Sequence, residues 1–178
     1  GIRDRDVTGV QTCALPIYLS LFGLYPREFT PSIPPEGMLL GRLIYEMSSW
    51  TRAIVIPLSI VHAMNPMRPV PAGFTVDELL IPGVPLGFPN DEGFFSWRNF
   101  FLLADKFLKF WEKHGSKAIR LKAIRRAERW MLERTRYTDG LAAIYPPMMY
   151  VIMALDLLGY PKDHPDVQES EQQFFNLL

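Results

Sequence analysis

Cysteine is almost absent: Cys13 stands alone among 178 residues, so the chain can close no disulfide of its own and build no multi-thiolate metal site. Net charge is zero, with 19 Lys and Arg against 19 Asp and Glu, so any case for an anionic partner has to rest on a local stripe. Nowhere do the ~18 consecutive apolar residues of a membrane-spanning helix occur. There is no G-x-x-x-x-G-K-[ST], no G-x-G-x-x-G and no G-x-S-x-G, which leaves phosphate-loop, dinucleotide and hydrolase-elbow chemistry without support. His62, His114 and His164 lie far apart, with no second histidine or carboxylate at a ligand spacing such as H-E-x-x-H. Isolated histidines are more often surface or satisfied core residues than ligands. From motifs alone, the chain contains no complete active site and calls for no metal or cofactor.

The cysteine belongs to an odd stretch, VTGVQTCALPI at residues 7–17, whose apolar residues follow neither a helical nor a strand period. A signal peptide needs basic residues and then a continuous apolar run, and GIRDRDVTGVQTCALPI has neither. VTGVQTCALPI is the in-frame translation of a common sequencing-library adapter, GIRD translates the adjoining adapter end, and Arg5 and Asp6 fill the codons of a sample index. Residues 1–17 are therefore expected to be non-native, leaving 18–178 as one domain cut from a longer gene and free of cysteine.

The remainder reads as helices joined by proline-rich loops. GLYPREFTPSIPPE, residues 23–36, holds Pro26, Pro31, Pro34 and Pro35, which forbid a regular helix and a central strand alike. From Ile44 to Met64 the chain is apolar all round, which predicts a buried helix with a kink or break at Pro57. Residues 65–93 are again proline-rich loop. Three further helices follow: Phe94 to His114, ended by Gly115; about Lys117 to Arg134, with Ile124, Ala127 and Met131 on one face; and one starting at Pro147 and stopping at Gly159. Asp139-Gly140 marks a turn before the third, and a last helix runs from Pro165. No stretch reads as a strand, so the fold class is all-α, with antiparallel helix pairs.

Two helices invite a functional reading. In FFSWRNFFLLADKFLKFWEKHG, Trp97, Phe100, Phe101, Leu103, Phe107, Leu108, Phe110 and Trp111 cover about half the circumference and charged residues most of the rest. A wide apolar face is usually a core face; aromatics with lysines beside them also describe a helix lying in a membrane interface. On the residues alone the core reading is favoured. Between Lys117 and Arg136 eight Lys or Arg face Glu128 and Glu133. Such a stripe is usually a solvated face; no aromatics interleave with it to stack bases, so nucleic acid is not an expected partner, while an anionic lipid surface remains open.

IYEMSSWTRAIVIPLSI at 44–60 and DGLAAIYPPMMY at 139–150 resemble squalene-hopene cyclases, the bacterial triterpene cyclases, and LSLFGLYPREFTPSIPPEGMLL at 19–40 resembles the same family in the same order. The resemblance covers essentially all of Leu19 to Leu178, as a minority piece of a family chain. It implies a helical-repeat α/α barrel, and a monotopic enzyme of the bacterial cytoplasmic membrane that draws squalene from the bilayer. An acid of an Asp-x-Asp-Asp motif protonates the substrate, and aromatic faces hold the carbocations that follow; no cofactor is implied. Carried over by position, Trp50 resembles the cavity tryptophan, and Ile144, Tyr145 and Pro146 a cavity-lining turn. Met47 and Val55 fall where the family narrows the substrate entrance. Phe94, Phe95, Trp97, Phe100, Phe101, Phe107 and Trp111 fall in its membrane-dipping helix, which reverses the preference for a core face.

The chain also departs from that pattern. No Asp-x-Asp-Asp occurs, so a fragment of this kind is expected to be inactive alone. Thr135 stands where the family's repeat motif has glutamine, and no tryptophan follows Gly140. Between Leu40 and Ile44 the chain is a few residues shorter than the pattern, which leaves Tyr45 without an assigned place. The expected partners are squalene and a bilayer surface, with a homodimer open. Two other readings stay open: a non-catalytic helical-repeat module that binds a membrane or protein, and an oxidosqualene cyclase on the same scaffold.

Overall fold

The computed structural model of the chain describes residues 16–79, 96–136, 138 and 140–177. Six helices are labelled here: α1 (Gly41–Glu46), α2 (Ser49–Met64), α3 (Trp97–His114), α4 (Lys117–Thr135), α5 (Tyr145–Leu157) and α6 (Pro165–Leu177), with 3₁₀ turns at Arg27–Phe29, Pro35–Leu39 and Asp77–Leu79. Residues 16–21 are also helical, and no described residue is in a strand, as the all-α reading requires. Much of the second proline-rich loop, together with Phe94, Phe95 and Asp139, lies outside the described residues.

The chain divides into two compact units, Gly1–Ser32 with Asn65–Phe107, and Ile33–Met64 with Leu108–Leu178. In the first, the backbone N–H of Arg68 donates to the carbonyl of Leu21 at 2.9 Å, and Arg27 donates to the Asn65 amide oxygen. In the second, α2 packs against α5 and α4, α5 against α6, and the Pro35–Leu39 turn against α4. Ile56, Ile60 and Val61 of α2 and Val151, Ala154 and Leu155 of α5 are almost completely shielded from solvent. Each large apolar side chain buried in this way is worth about 1.5–3 kcal/mol.

Of the kink or break expected at Pro57, the break is not there. Helix α2 runs through Pro57, which is buried, and Ser59 Oγ donates to the carbonyl of Ile56 at 2.7 Å. A proline inside a helix costs about 3 kcal/mol, less than burial of the surrounding Ile56, Leu58, Ile60 and Val61 supplies. The interruption lies ten residues earlier, where Met47 is extended with ψ 149. Ser48 caps α2, its Oγ accepting the Thr51 N–H at 3.1 Å. Arg52 reaches back to close α1, donating to the carbonyls of Tyr45 at 3.1 Å and Met47 at 2.9 Å.

Other boundaries shift for local reasons. Helix α5 starts at Tyr145 rather than Pro147, with Ile144 extended before it, so Pro146 and Pro147 both sit in the first turn, where a missing N–H breaks no bond. Its far end closes at Gly159, φ +85, with the Tyr160 N–H bonded to the Leu155 carbonyl at 3.1 Å. Gly115 ends α3 without a left-handed φ: a Cβ there would lie 2.6 Å from the Trp111 carbonyl oxygen.

The turn before α5 is left-handed over four residues, Gly140, Leu141, Ala142 and Ala143, with φ of 67, 56, 81 and 51. Each non-glycine residue held there costs roughly 1–2 kcal/mol. Leu141 is buried and its N–H donates to Thr138 Oγ1 at 3.0 Å, so packing holds the turn in place. Ala142→Gly is expected to stabilise the chain by about 0.5–1 kcal/mol, strain relief less the backbone entropy that glycine adds to the unfolded chain. Thermal unfolding followed by circular dichroism reads this; a lowered midpoint contradicts the left-handed turn.

Candidate functional site

The first turns of α2 and α5 place the cavity residues expected from the sequence. Trp50 is the second residue of α2 and is 59% exposed, with no aromatic ring partner among the described residues. Tyr145, the first residue of α5, is 48% exposed and lies 5.2 Å, centroid to centroid, from Phe174 of α6. Ile144 and Pro146 beside it are half-buried. Met47, in the break between α1 and α2, is exposed, and Val55 is half-buried on α2. The structure thus puts this set on one unit, at the starts of two helices that pack together, and shows no ring contact between Trp50 and Tyr145.

Helix α3 is the inverse of a core helix. It has no buried residue; Trp97 is 79% and Phe101 64% exposed, and Phe100, Leu103, Phe107 and Phe110 face solvent as well. Trp97, Phe100 and Phe101 touch one another, with centroids 5.4–6.2 Å apart. One of its two carboxylates, by contrast, is used here: Asp105 Oδ1 accepts the backbone N–H of Ser32 at 2.7 Å. Trp111 is half-buried, its carbonyl accepting the N–H of Gly115. No described helix is long and apolar enough to cross a membrane.

Polar partnerships that no sequence spacing announced organise the second unit. Arg120 on α4 bonds Glu36 at 3.2 Å and the Glu112 carbonyl at 2.7 Å, tying the Pro35–Leu39 turn to the ends of α3 and α4. His62, isolated in sequence, is buried on α2 with Nδ1 3.5 Å from Glu112 Oε1. Arg136 forms a two-pronged bond to the buried Asp166, at 2.9 and 3.0 Å, and His164 Nδ1 stands 3.6 Å from the same carboxylate. His114 instead stacks on Phe110, 4.4 Å between centroids. The Arg120, His62 and Arg136 pairs link separate elements, while the His164 and His114 contacts are local; among the described residues no cluster of three His, Cys, Asp or Glu could hold a metal ion.

A family model described as the squalene-hopene cyclase N-terminal domain matches residues 9–178. The chain belongs to the squalene-hopene cyclase family. A squalene–hopene cyclase of Zymomonas mobilis is 38% identical over 154 residues, covering 84% of this chain and 23% of that protein. One from Alicyclobacillus acidocaldarius is 37% identical, covering 84% and 24%. Dammaradiene synthase of Dryopteris crassirhizoma is 33% identical, covering 89% and 24%. The chain therefore spans about a quarter of the length of these cyclases.

Glu128 of α4 has a partner that sequence reading missed, the Tyr160 hydroxyl, which donates to Oε1 at 2.6 Å. Burial first, then this hydrogen bond and the charge of Glu128, push the Tyr160 phenol up to about 12 from its ordinary 10. Below pH 10 the phenol is protonated in folded and unfolded chains alike, and its contribution to stability is complete. Between 10 and 12 the unfolded chain alone loses the proton, so stability falls as pH rises. Phenolate absorbance is expected to show one of the seven tyrosines titrating near 12, a step absent in Tyr160→Phe. An unchanged titration in that variant contradicts the Glu128 pairing.

Proposed function

We propose that this chain is the part of a squalene-hopene cyclase that supplies a wall of the substrate cavity and a membrane-facing helix, in an enzyme that cyclises squalene to hopene or hopanol through an acid-initiated carbocation cascade. The observation that supports it most is the family match over residues 9–178. Aromatic faces attract cations most strongly where water is excluded. Trp50 and Tyr145 offer such faces, exposed and half-exposed among the described residues, at positions that resemble the family's cavity wall. Met47 and Val55 narrow the way in. No residue here plays the proton donor, since Asp-x-Asp-Asp is absent, and the chain alone forms no product.

The proposed localisation draws its support from α3. Its polar side is engaged at Asp105, while the side rich in Trp and Phe is exposed among the described residues. A helix of that kind suits the plane of a bilayer surface, with its aromatic side among the acyl chains, and this supports the reading of a monotopic protein on the bacterial cytoplasmic membrane, beside its apolar substrate.

A longer protein containing this chain, purified in detergent, is expected to convert squalene to hopene or hopanol by gas chromatography and mass spectrometry. Trp50→Ala should lower kcat by roughly thirtyfold, about 2 kcal/mol of lost cation–π stabilisation. A soluble, folded protein that yields no cyclised product overturns the reading. Trp97→Ser with Phe101→Ser is expected to weaken partition onto phospholipid vesicles at least about tenfold; unchanged partition removes α3 from the membrane contact while leaving the cyclase reading untouched.

A further inference from the structure

Helix α4 carries a second feature, unrelated to the cavity wall. Lys122, Arg125, Arg126 and Arg129 follow one another at i, i+3, i+4 and i+7, so their side chains share one face of the helix. Like charges at these spacings oppose one another and weaken a helix. The other arginines of α4 and its C-cap have carboxylates: Arg120 pairs with Glu36 at 3.2 Å, Arg134 approaches Glu133 at 3.9 Å, and Arg136 holds Asp166 at 2.9 Å. Among the described residues none of the four takes part in an ion pair.

The four cations line a recess of about 710 Å³ between α4, α1 and the Pro35–Leu39 turn. Gly41, the first residue of α1, lies beside a guanidinium: a Cβ there would stand 3.6 Å from Arg126 Nη2, an ordinary contact distance. The walls are apolar where they are deepest, at Met38 and Ile44, both buried, with Leu121 nearer the rim. Glu133 contributes the one carboxylate of the lining, and Arg134 already approaches it.

We propose that this recess is a binding site for a phosphate group borne on an apolar tail, an anionic amphiphile whose headgroup meets Lys122, Arg125, Arg126 and Arg129 and whose first carbons rest on Met38, Ile44 and Leu121. Guanidinium groups match phosphate geometry with paired N–H donors. The bound anion relieves the repulsion along α4, which couples occupancy of the site to stability of the helix. The inference rests on the recess itself and stands whether or not the cavity assignment above holds.

The test is calorimetric titration of the full chain in mild non-ionic detergent with dihexanoyl phosphatidic acid, dihexanoyl phosphatidylcholine and inorganic phosphate. Saturable binding of phosphatidic acid, at least about tenfold tighter than phosphatidylcholine, is expected on the unaltered chain. Arg125→Gln with Arg129→Gln, both exposed, should weaken it at least about tenfold, the scale of one lost charge-assisted bond. Lys113→Gln with Lys117→Gln removes the same net charge from outside the recess and should leave binding within about twofold. Inorganic phosphate that competes at equal concentration also supports the anion site and assigns free phosphate as its source. Equal weakening by both double variants, equal affinity for phosphatidylcholine, or displacement by a single-stranded oligonucleotide at equal concentration overturns the proposal.

Discussion

The packing of α2 on α5 is the contact that the second unit is built around. Both helices are apolar on more than one side, so neither is satisfied by a single neighbour: α2 also meets α4 and the Pro35–Leu39 turn, and α5 also meets α6. Ile56, Ile60 and Val61 against Val151, Ala154 and Leu155 supply enough burial to keep α2 helical through Pro57 and to hold the left-handed turn that delivers the chain to α5. What this packing leaves uncovered is as informative. The opening turns of both helices present Trp50 and Tyr145, large aromatic surfaces that a self-contained domain would tuck away. A chain spanning about a quarter of its relatives' length has room in those longer proteins for both to be enclosed.

Helix type and the buried character of α2 and α5 were legible in the sequence, because apolar residues all round and the placement of Pro and Gly are local signals; the helix at residues 16–21 and the division of the expected 44–64 helix into α1 and α2 were not. The break was not. Pro57 is the louder local signal, yet Ser48 and Arg52, through a cap and a pair of backward hydrogen bonds, decide where the helix is interrupted. Local propensity lost to tertiary burial at one site and to capping at the other. The face of α3 shows the same limit from another side: periodicity established that the helix is two-sided, but whether its aromatic side is covered depends on what is opposite it. Among the described residues none of α3 is buried, so the core reading favoured on residues alone does not hold for this chain.

Of the site, the residues that resembled the family's cavity wall are exposed or half-buried on the two expected helices, whereas the polar pairs had no sequence signature at all. Glu36 and Arg120 are 84 residues apart, Tyr160 and Glu128 are 32 apart, and His62 finds Glu112 across the unit. Each ties together segments that hydrophobic packing alone would leave free to slide, and removing one partner of such a part-buried pair leaves the other partly desolvated without its bond. The basic stripe on α4 was visible as a charge count; that four of its members surround an apolar recess became visible only when α1 was placed beside it.

The central claim is that Trp50 and Tyr145 face substrate. Its most direct test is photo-crosslinking of a longer protein containing this chain with a squalene analogue bearing a photoreactive group, followed by peptide mass spectrometry. The account predicts label on the peptides holding Met47 to Val55 and Ile144 to Pro146, with loss of label when excess squalene competes. Competed label confined to other peptides, with these two untouched, would contradict it.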